Sequence, residues 1–203
     1  MNTATLQPPV AVRRSGPPLL TAADLARFPT TLSAGDVRYE LDDGRLVIMP
    51  PPGDIHGRTQ LKIGRYLDTN AEELGLGEGW VEVGIVLRRD PDRVVGADAA
   101  FVLATSLPTR RSVEGYLETI PEIVIEILSK NDTTPEVLAK RDEYFGAGVR
   151  AVWVLDPDDR TVTVHAPPAA PAEFGPADTL TSPLLPGFAV PVNLLFPVRT
   201  TPG

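Results

Sequence analysis

Two strand-like runs flank Asp43-Gly44 in "VRYELDDGRLVIMP", and that dipeptide between alternating apolar positions predicts a β-hairpin. Ahead of it, "LTAADLARF" sets Leu25 and Phe28 on one side of a short helix with Thr21 as its cap. Behind it, Ile63, Leu67, Ala71 and Leu74 recur at helical spacing in "DIHGRTQLKIGRYLDTNAEELGLG", a helix that Asp54 can cap and Gly75 can close. "WVEVGIVLR" and "VVGADAAFVL" read as strands joined by the turn-forming "RDPDR", and "PEIVIEIL" as a further strand. "TPEVLAKRDEYFGAG" reads as a helix capped by Thr134, with Pro135 at its first position and glycines at its exit. "RAVWVLDP" and "RTVTVHA" then read as strands joined at "DPDD".

After Ala166 the pattern gives way to proline and alanine in "PPAAPAEFGPAD", read as a loop or crossing, before "LTSPLLPGFAVPVNLLF" becomes apolar enough to dock on a core. Residues 1–18 are polar, rich in proline and without periodicity, and read as a mobile tail. That leaves 19–203 as a single domain. Helix, hairpin, helix, strands, helix and strands in this order predict an α/β or α+β fold around one mixed sheet flanked by helices, with the hairpin on its N-terminal side.

Two carboxylates break the strand patterns. Glu126 stands between Ile125 and Ile127, and Asp98 is the only ionisable residue of its ten-residue apolar and small-residue run. A carboxylate left unpaired in a core costs several kcal/mol or goes neutral, so a basic partner, a bound cation or exposure at a strand end must compensate each. Neighbouring strands lie roughly 4.8 Å apart, close enough for the two side chains to share one ion. Taking 100° per residue in the following helix, Val137, Leu138, Arg141, Tyr144 and Phe145 form its core face, with Lys140 at the edge, able either to look inward or to cover apolar surface with its stem. His56 falls in the first turn of its helix, as a substrate-facing base or a partly exposed histidine of the cap region.

Composition narrows the chemistry. With no cysteine and two histidines, thiolate and histidine-rich metal sites drop out, and a bound metal must be held by oxygen, as magnesium is. The chain contains no P-loop, dinucleotide fingerprint, Gly-x-Ser-x-Gly elbow or His-Glu-x-x-His. It lacks an apolar run of membrane-spanning length and a signal-peptide pattern, which reads as a soluble, cytoplasmic protein. A formal net charge of -8 argues against a generally basic nucleic-acid-binding surface, leaving "RRSVEGY" and "AKRDEYF" as candidates for a local cationic face.

"YELDDGRLVIMPPPGDIHGR", "GADAAFV", "PEIVIEILSKND", "KRDEYFGAGVRAVWVLDP" and "LPGFAVPV", in this order, resemble the Uma-type branch of the PD-(D/E)XK restriction-endonuclease-like superfamily over about residues 19–196. The resemblance implies a restriction-endonuclease-like fold and magnesium- or manganese-dependent cleavage of DNA phosphodiesters. It places the pattern's aspartate on Asp98, its acidic residue on Glu126 and its lysine on Lys140, moved from the strand to the next helix. Glu40 and His56 occupy positions that recur in the family. The metal would take Asp98, Glu126 and the Ile127 carbonyl. Ala97 stands where the pattern has proline, and Leu128 where it has the strand lysine, which makes Lys130 a competitor to Lys140 as the site amine. A homodimer is expected, through "VPVNLLF" or the outer side of "GWVEVGIVL". Two other readings remain: a non-catalytic nuclease-fold module that binds nucleic acid or protein, and glycoside hydrolysis by the same two carboxylates, which needs an aromatic-lined cleft.

Overall fold

The computed structural model describes residues 17–33, 35–130 and 132–198, so the tail expected at 1–18 lies almost wholly outside it. Helix α1 (Ala22–Leu25) is followed by the two-residue strands β1 (Thr31–Leu32) and β2 (Gly35–Asp36). Next comes the predicted hairpin of β3 (Arg38–Asp42) and β4 (Arg45–Met49). Asp43 and Gly44 both take positive φ, 49° and 73°, the conformation a tight hairpin turn requires. Helix α2 (Asp54–Leu67) leads through a π-helical turn, Asp68–Glu72, into the long strands β5 (Gly77–Arg88) and β6 (Arg93–Leu103). Strand β7 (Ile123–Ile127), helix α3 (Thr134–Ala147) and strand β8 (Ala151–Asp156) form a parallel β-α-β unit. Strands β9 (Thr161–His165), β10 (Ala172–Phe174), β11 (Thr179–Ser182) and β12 (Leu185–Pro191) complete the chain, with a 3-10 turn at Val192–Leu195.

Eight strands form one mixed sheet in the order β10-β9-β8-β7-β6-β3-β4, with β5 alongside β6. Alternation along β7 and β8 separates two cores. Ile123, Ile125, Ile127, Trp153 and Leu155 pack with Ile63 and Leu67 of α2 and with Phe188, Leu195 and Phe196. Val124, Val152 and Val154 pack with Tyr144 of α3 and with Ala100 and Val102. Each large apolar side chain buried here contributes about 1.5–3 kcal/mol. The C-terminal apolar segment therefore belongs to the core, and "VPVNLLF" is not an open interface: Val192, Leu195 and Phe196 are buried.

Local structure departs from the sequence expectations in four places. Gly53, not Asp54, is the N-cap of α2 and lends no side chain; Asp54 is the first helical residue. The π-turn, with Glu73 N–H donating to Asp68 C=O, inserts a residue into the helical repeat and turns Leu74 out to 58% exposure. Helix α3 is capped by Thr133, paired reciprocally with Glu136, and Thr134 sits inside. Its core face is narrower than expected, with Tyr144 buried, Val137 and Phe145 half-buried and Leu138 exposed. Finally, the proline-alanine stretch contributes strand β10, which pairs Ala172–Phe174 with β9 at the sheet edge. No helix among the described residues is long and apolar enough to cross a membrane.

Candidate active site

Strand β5 pairs with β6 from Gly77 opposite Leu103 to Arg88 opposite Arg93 and occupies one edge of β6 entirely. Strands β7 and β3 share the other edge. β7 takes Ala99–Phe101 and β3 meets only Val94, so the sheet forks and residues 95–98 of β6 face a notch. Their main-chain groups need partners, and side chains supply them. Gly96 N–H donates to Glu40 Oε1 at 2.9 Å, and its carbonyl accepts from Lys140 Nζ at 3.1 Å. The Asp98 carbonyl accepts from Gln60 Nε2 at 2.7 Å. Across the notch Ile127 N–H donates to Asp98 Oδ2 at 2.7 Å, so a carboxylate replaces a backbone acceptor where the strands part.

Glu126 reaches the same notch from β7. Its Oε1 accepts from the Tyr144 hydroxyl at 2.5 Å and its Oε2 from Lys140 Nζ at 2.9 Å. Lys140 and Tyr144 are four residues apart on α3, which sets both over one strand residue. Burial pushes the Glu126 carboxyl up to about 7; Lys140 opposes this, and the Asp98 charge adds to it. Burial draws Lys140 down, but the charges of Glu126, Glu40 and Asp98 outweigh it and leave the amine raised. The Tyr144 phenol is held well above its usual range by burial and by Glu126.

His56 Nε2 lies 3.1 Å from Asp98 Oδ2, and this hydrogen bond raises the imidazole against the opposing effect of burial. Glu40 is steadied by Arg93, 3.6 Å away. The Arg93 guanidinium forks onto both oxygens of Glu143, at 2.5 and 2.8 Å, and reaches the Leu41 carbonyl. That bidentate pair ties α3 to the sheet beside Lys140.

The structure thus gathers Asp98, Glu126, Lys140, Glu40 and His56 at one notch, with Ile127 joined to Asp98 through its N–H. Lys140 is the amine on Glu126, while Lys130 lines the outer groove. Most cations of the candidate faces "RRSVEGY" and "AKRDEYF" are paired, Arg111 with Glu78, Arg141 with Asp142 and Lys140 with Glu126, while Arg110 is exposed. Three residues of the site escaped the sequence reading. Gln60, polar among the apolar positions Ile63 and Leu67, carried a legible signal. Tyr144 looked like core, and Arg93 looked like a turn residue.

No group of three or more histidine or acidic side chains converges on a metal position among the described residues. The Asp98 charge acts on Glu126 across the notch, and the Glu126 carboxyl stays raised with both of its donors in place. This donor set fits a hard cation whose remaining positions are filled by water and substrate oxygens.

The architecture is a mixed sheet flanked by helices, with Asp98, Glu126 and Lys140 at the fork of the sheet. A solved structure shares it: a putative nuclease belonging to DUF820 from Anabaena variabilis ATCC 29413, 19% identical, aligned over 87% of this chain and 97% of that one, with a TM-score of 0.69. Residues 22–193 match Uma2, the family described as putative restriction endonuclease, and the chain belongs to that family. Comparison with curated proteins finds no match.

Proposed function

We propose that the protein is a magnesium- or manganese-dependent phosphodiester hydrolase acting on DNA, with Asp98 and Glu126 as metal ligands and Lys140 as the catalytic amine. The observation that carries this reading is the placement of two half-buried carboxylates and an ammonium at the fork of the sheet. Glu126 Oε1 and Oε2 each accept one donor and retain a further lone pair, Asp98 engages Ile127 N–H and His56 through Oδ2 and offers Oδ1, and the Ile127 carbonyl would serve as a third oxygen ligand. The ion, when bound, supplies positive charge to the scissile phosphate and lowers the pKa of a water.

The chain's own residues do the rest. Lys140 uses two of its three N–H donors on Glu126 and Gly96 and keeps one for an attacking oxygen or a phosphate oxygen. His56 and the Ile127 N–H fix the Asp98 carboxylate. Glu40 and Gln60 hold the β6 backbone that carries it.

Plasmid DNA incubated with magnesium, manganese or chelator, beside Asp98→Ala and Glu126→Ala, tests the proposal. Nicking by wild type with either ion alone is expected, and variants that nick as fast as wild type would refute the assignment. A non-catalytic nuclease-fold module is the second reading, favoured by Leu128 at the position of the strand lysine. It predicts DNA binding that neither chelator nor the two alanine variants disturb.

A further inference from the structure

The groove that opens onto Asp98 and Glu126 has a volume of about 950 Å³. Its charge is unlike that of a surface built to hold a polyanion. Eight carboxylates line it, against Arg38, Lys130 and Lys140. Arg38 is committed to Glu82 at 2.5 Å and Lys140 to Glu126, which leaves Lys130 as the lining lysine or arginine without an ion pair among the described residues. Arg58, Lys62 and Arg65 form a basic stripe on α2. At 100° per residue, however, they lie on the side of the helix opposite His56 and Gln60, the residues that reach the notch.

Duplex affinity grows with the number of phosphates a protein neutralises, and this groove offers one uncommitted cation for that purpose. Apolar surface makes up much of the remaining wall. Phe28, Met49, Tyr116 and the run Pro50–Pro52 border the same groove as the two carboxylates. Such surfaces suit bases and sugars, since a base of any identity can stack on an aromatic ring. In an intact duplex the base faces are stacked inside the helix and cannot use this wall.

We propose, building on the phosphodiesterase reading, that the groove takes an unpaired stretch of nucleic acid, a single strand or a flap. Its scissile phosphate lies at Asp98 and Glu126 and its neighbouring bases and sugars lie against the apolar wall. The backbone of an intact duplex is not what the site grips.

The test uses the full chain and one fluorescent DNA sequence as a single strand, as a flap on a duplex and as a blunt duplex. Cleavage is followed with manganese, and binding with calcium in place of the catalytic ion. Single strand and flap are expected to be cut at least about tenfold faster than duplex. Their binding is expected to weaken only gently with salt, with a slope of log affinity against log salt near about -1. Asp98→Asn should weaken that binding in calcium. Duplex cut as fast as single strand, or bound with a slope of about -4 or steeper that Arg58→Glu with Arg65→Glu abolishes, would overturn the proposal and move the contact to α2. If no DNA is cut but single strand is still bound over duplex in an Asp98-dependent manner, the groove assignment stands and the hydrolase reading falls.

Discussion

Lys140 Nζ stands 2.9 Å from Glu126 Oε2, with the amine on α3 and the carboxylate on β7, and both are largely withdrawn from water. Removing one partner of a buried pair leaves the other uncompensated, at a cost of about 3–5 kcal/mol. Lys140→Met is therefore expected to shift urea unfolding to clearly lower denaturant and to reduce metal-dependent hydrolysis by at least about a hundredfold. Adding Glu126→Gln removes the orphaned charge, so the double variant should regain stability over Lys140→Met while remaining inactive. Unfolding curves in which the two substitutions add independently would show that the pair is not energetically coupled.

The elevated Glu126 carboxyl gives the metal-free fold a pH dependence of definite sign. Its folded value is about 7 against an ordinary 4.5, so between those values the folded state holds a proton that the unfolded chain has released. The associated stability is fully present below about 4.5 and is lost as pH rises through about 7. Thermal midpoints measured in chelator should fall over that window in wild type, and Glu126→Gln should lack this component of the fall. Binding of manganese must expel the same proton, so its affinity should climb through pH 7 with proton release detectable by calorimetry in buffers of different ionisation enthalpy. Tyr144→Phe removes a hydrogen bond that favours the charged carboxylate and should move both midpoints to higher pH. A metal affinity flat from pH 6 to 8 would contradict the role given to Glu126.

Gln60 fixes Asp98 from the main-chain side. Its amide donates to the Asp98 carbonyl at 2.7 Å where β6 has no neighbouring strand on that edge, and Gln60 is buried. Gln60→Leu keeps the volume but leaves that carbonyl without its donor, which costs about 1–3 kcal/mol. The same change loosens the strand residue whose side chain meets Ile127 and His56. Weaker manganese binding by calorimetry, together with a lowered thermal midpoint, is the expected result. Unchanged metal affinity would limit Gln60 to a purely structural part.

Much of this arrangement was legible in the sequence because its signals are local. Asp43-Gly44 specified a turn, and alternation specified the strands. Asp98 and Glu126 stood out because each interrupts a pattern that otherwise asks for apolar residues. The fork in the sheet left no comparable mark. It depends on β3 and β7, which do not pair with each other, both meeting the same edge of β6, β3 at Val94 and β7 at Ala99–Phe101. The roles of Gln60, Arg93 and Glu40 follow from that fork, since they answer main-chain groups or neighbours that only the tertiary pairing exposes. Leu74 failed for a different reason: a single π-turn shifts the phase of every later residue, and the apolar spacing did not announce it.

Asp92 performs at the other end of β5–β6 the task of anchoring α1. Its Oδ2 accepts from Ala22 N–H at 2.7 Å and from Arg89 at 3.0 Å, while its carbonyl accepts from Gly44 N–H at 2.7 Å. A helix of four residues cannot persist alone, so this contact, with the Thr21–Asp24 capping box, decides whether α1 closes its side of the groove. Burial tends to raise the Asp92 carboxyl, but the Ala22 and Asp90 N–H groups and Arg89 outweigh it and hold the group below its ordinary 3.8. Its stabilising contribution is therefore present above 3.8 and is lost as pH falls through the lower folded value. Asp92→Ala should cost about 1–3 kcal/mol at neutral pH, and this deficit should shrink in acid as wild type loses the same interactions. Because Asp92 touches neither Asp98 nor Glu126, manganese affinity should stay within a few-fold of wild type while the thermal midpoint drops. A variant that loses stability and metal binding in parallel would mean that α1 and the notch unfold as one unit.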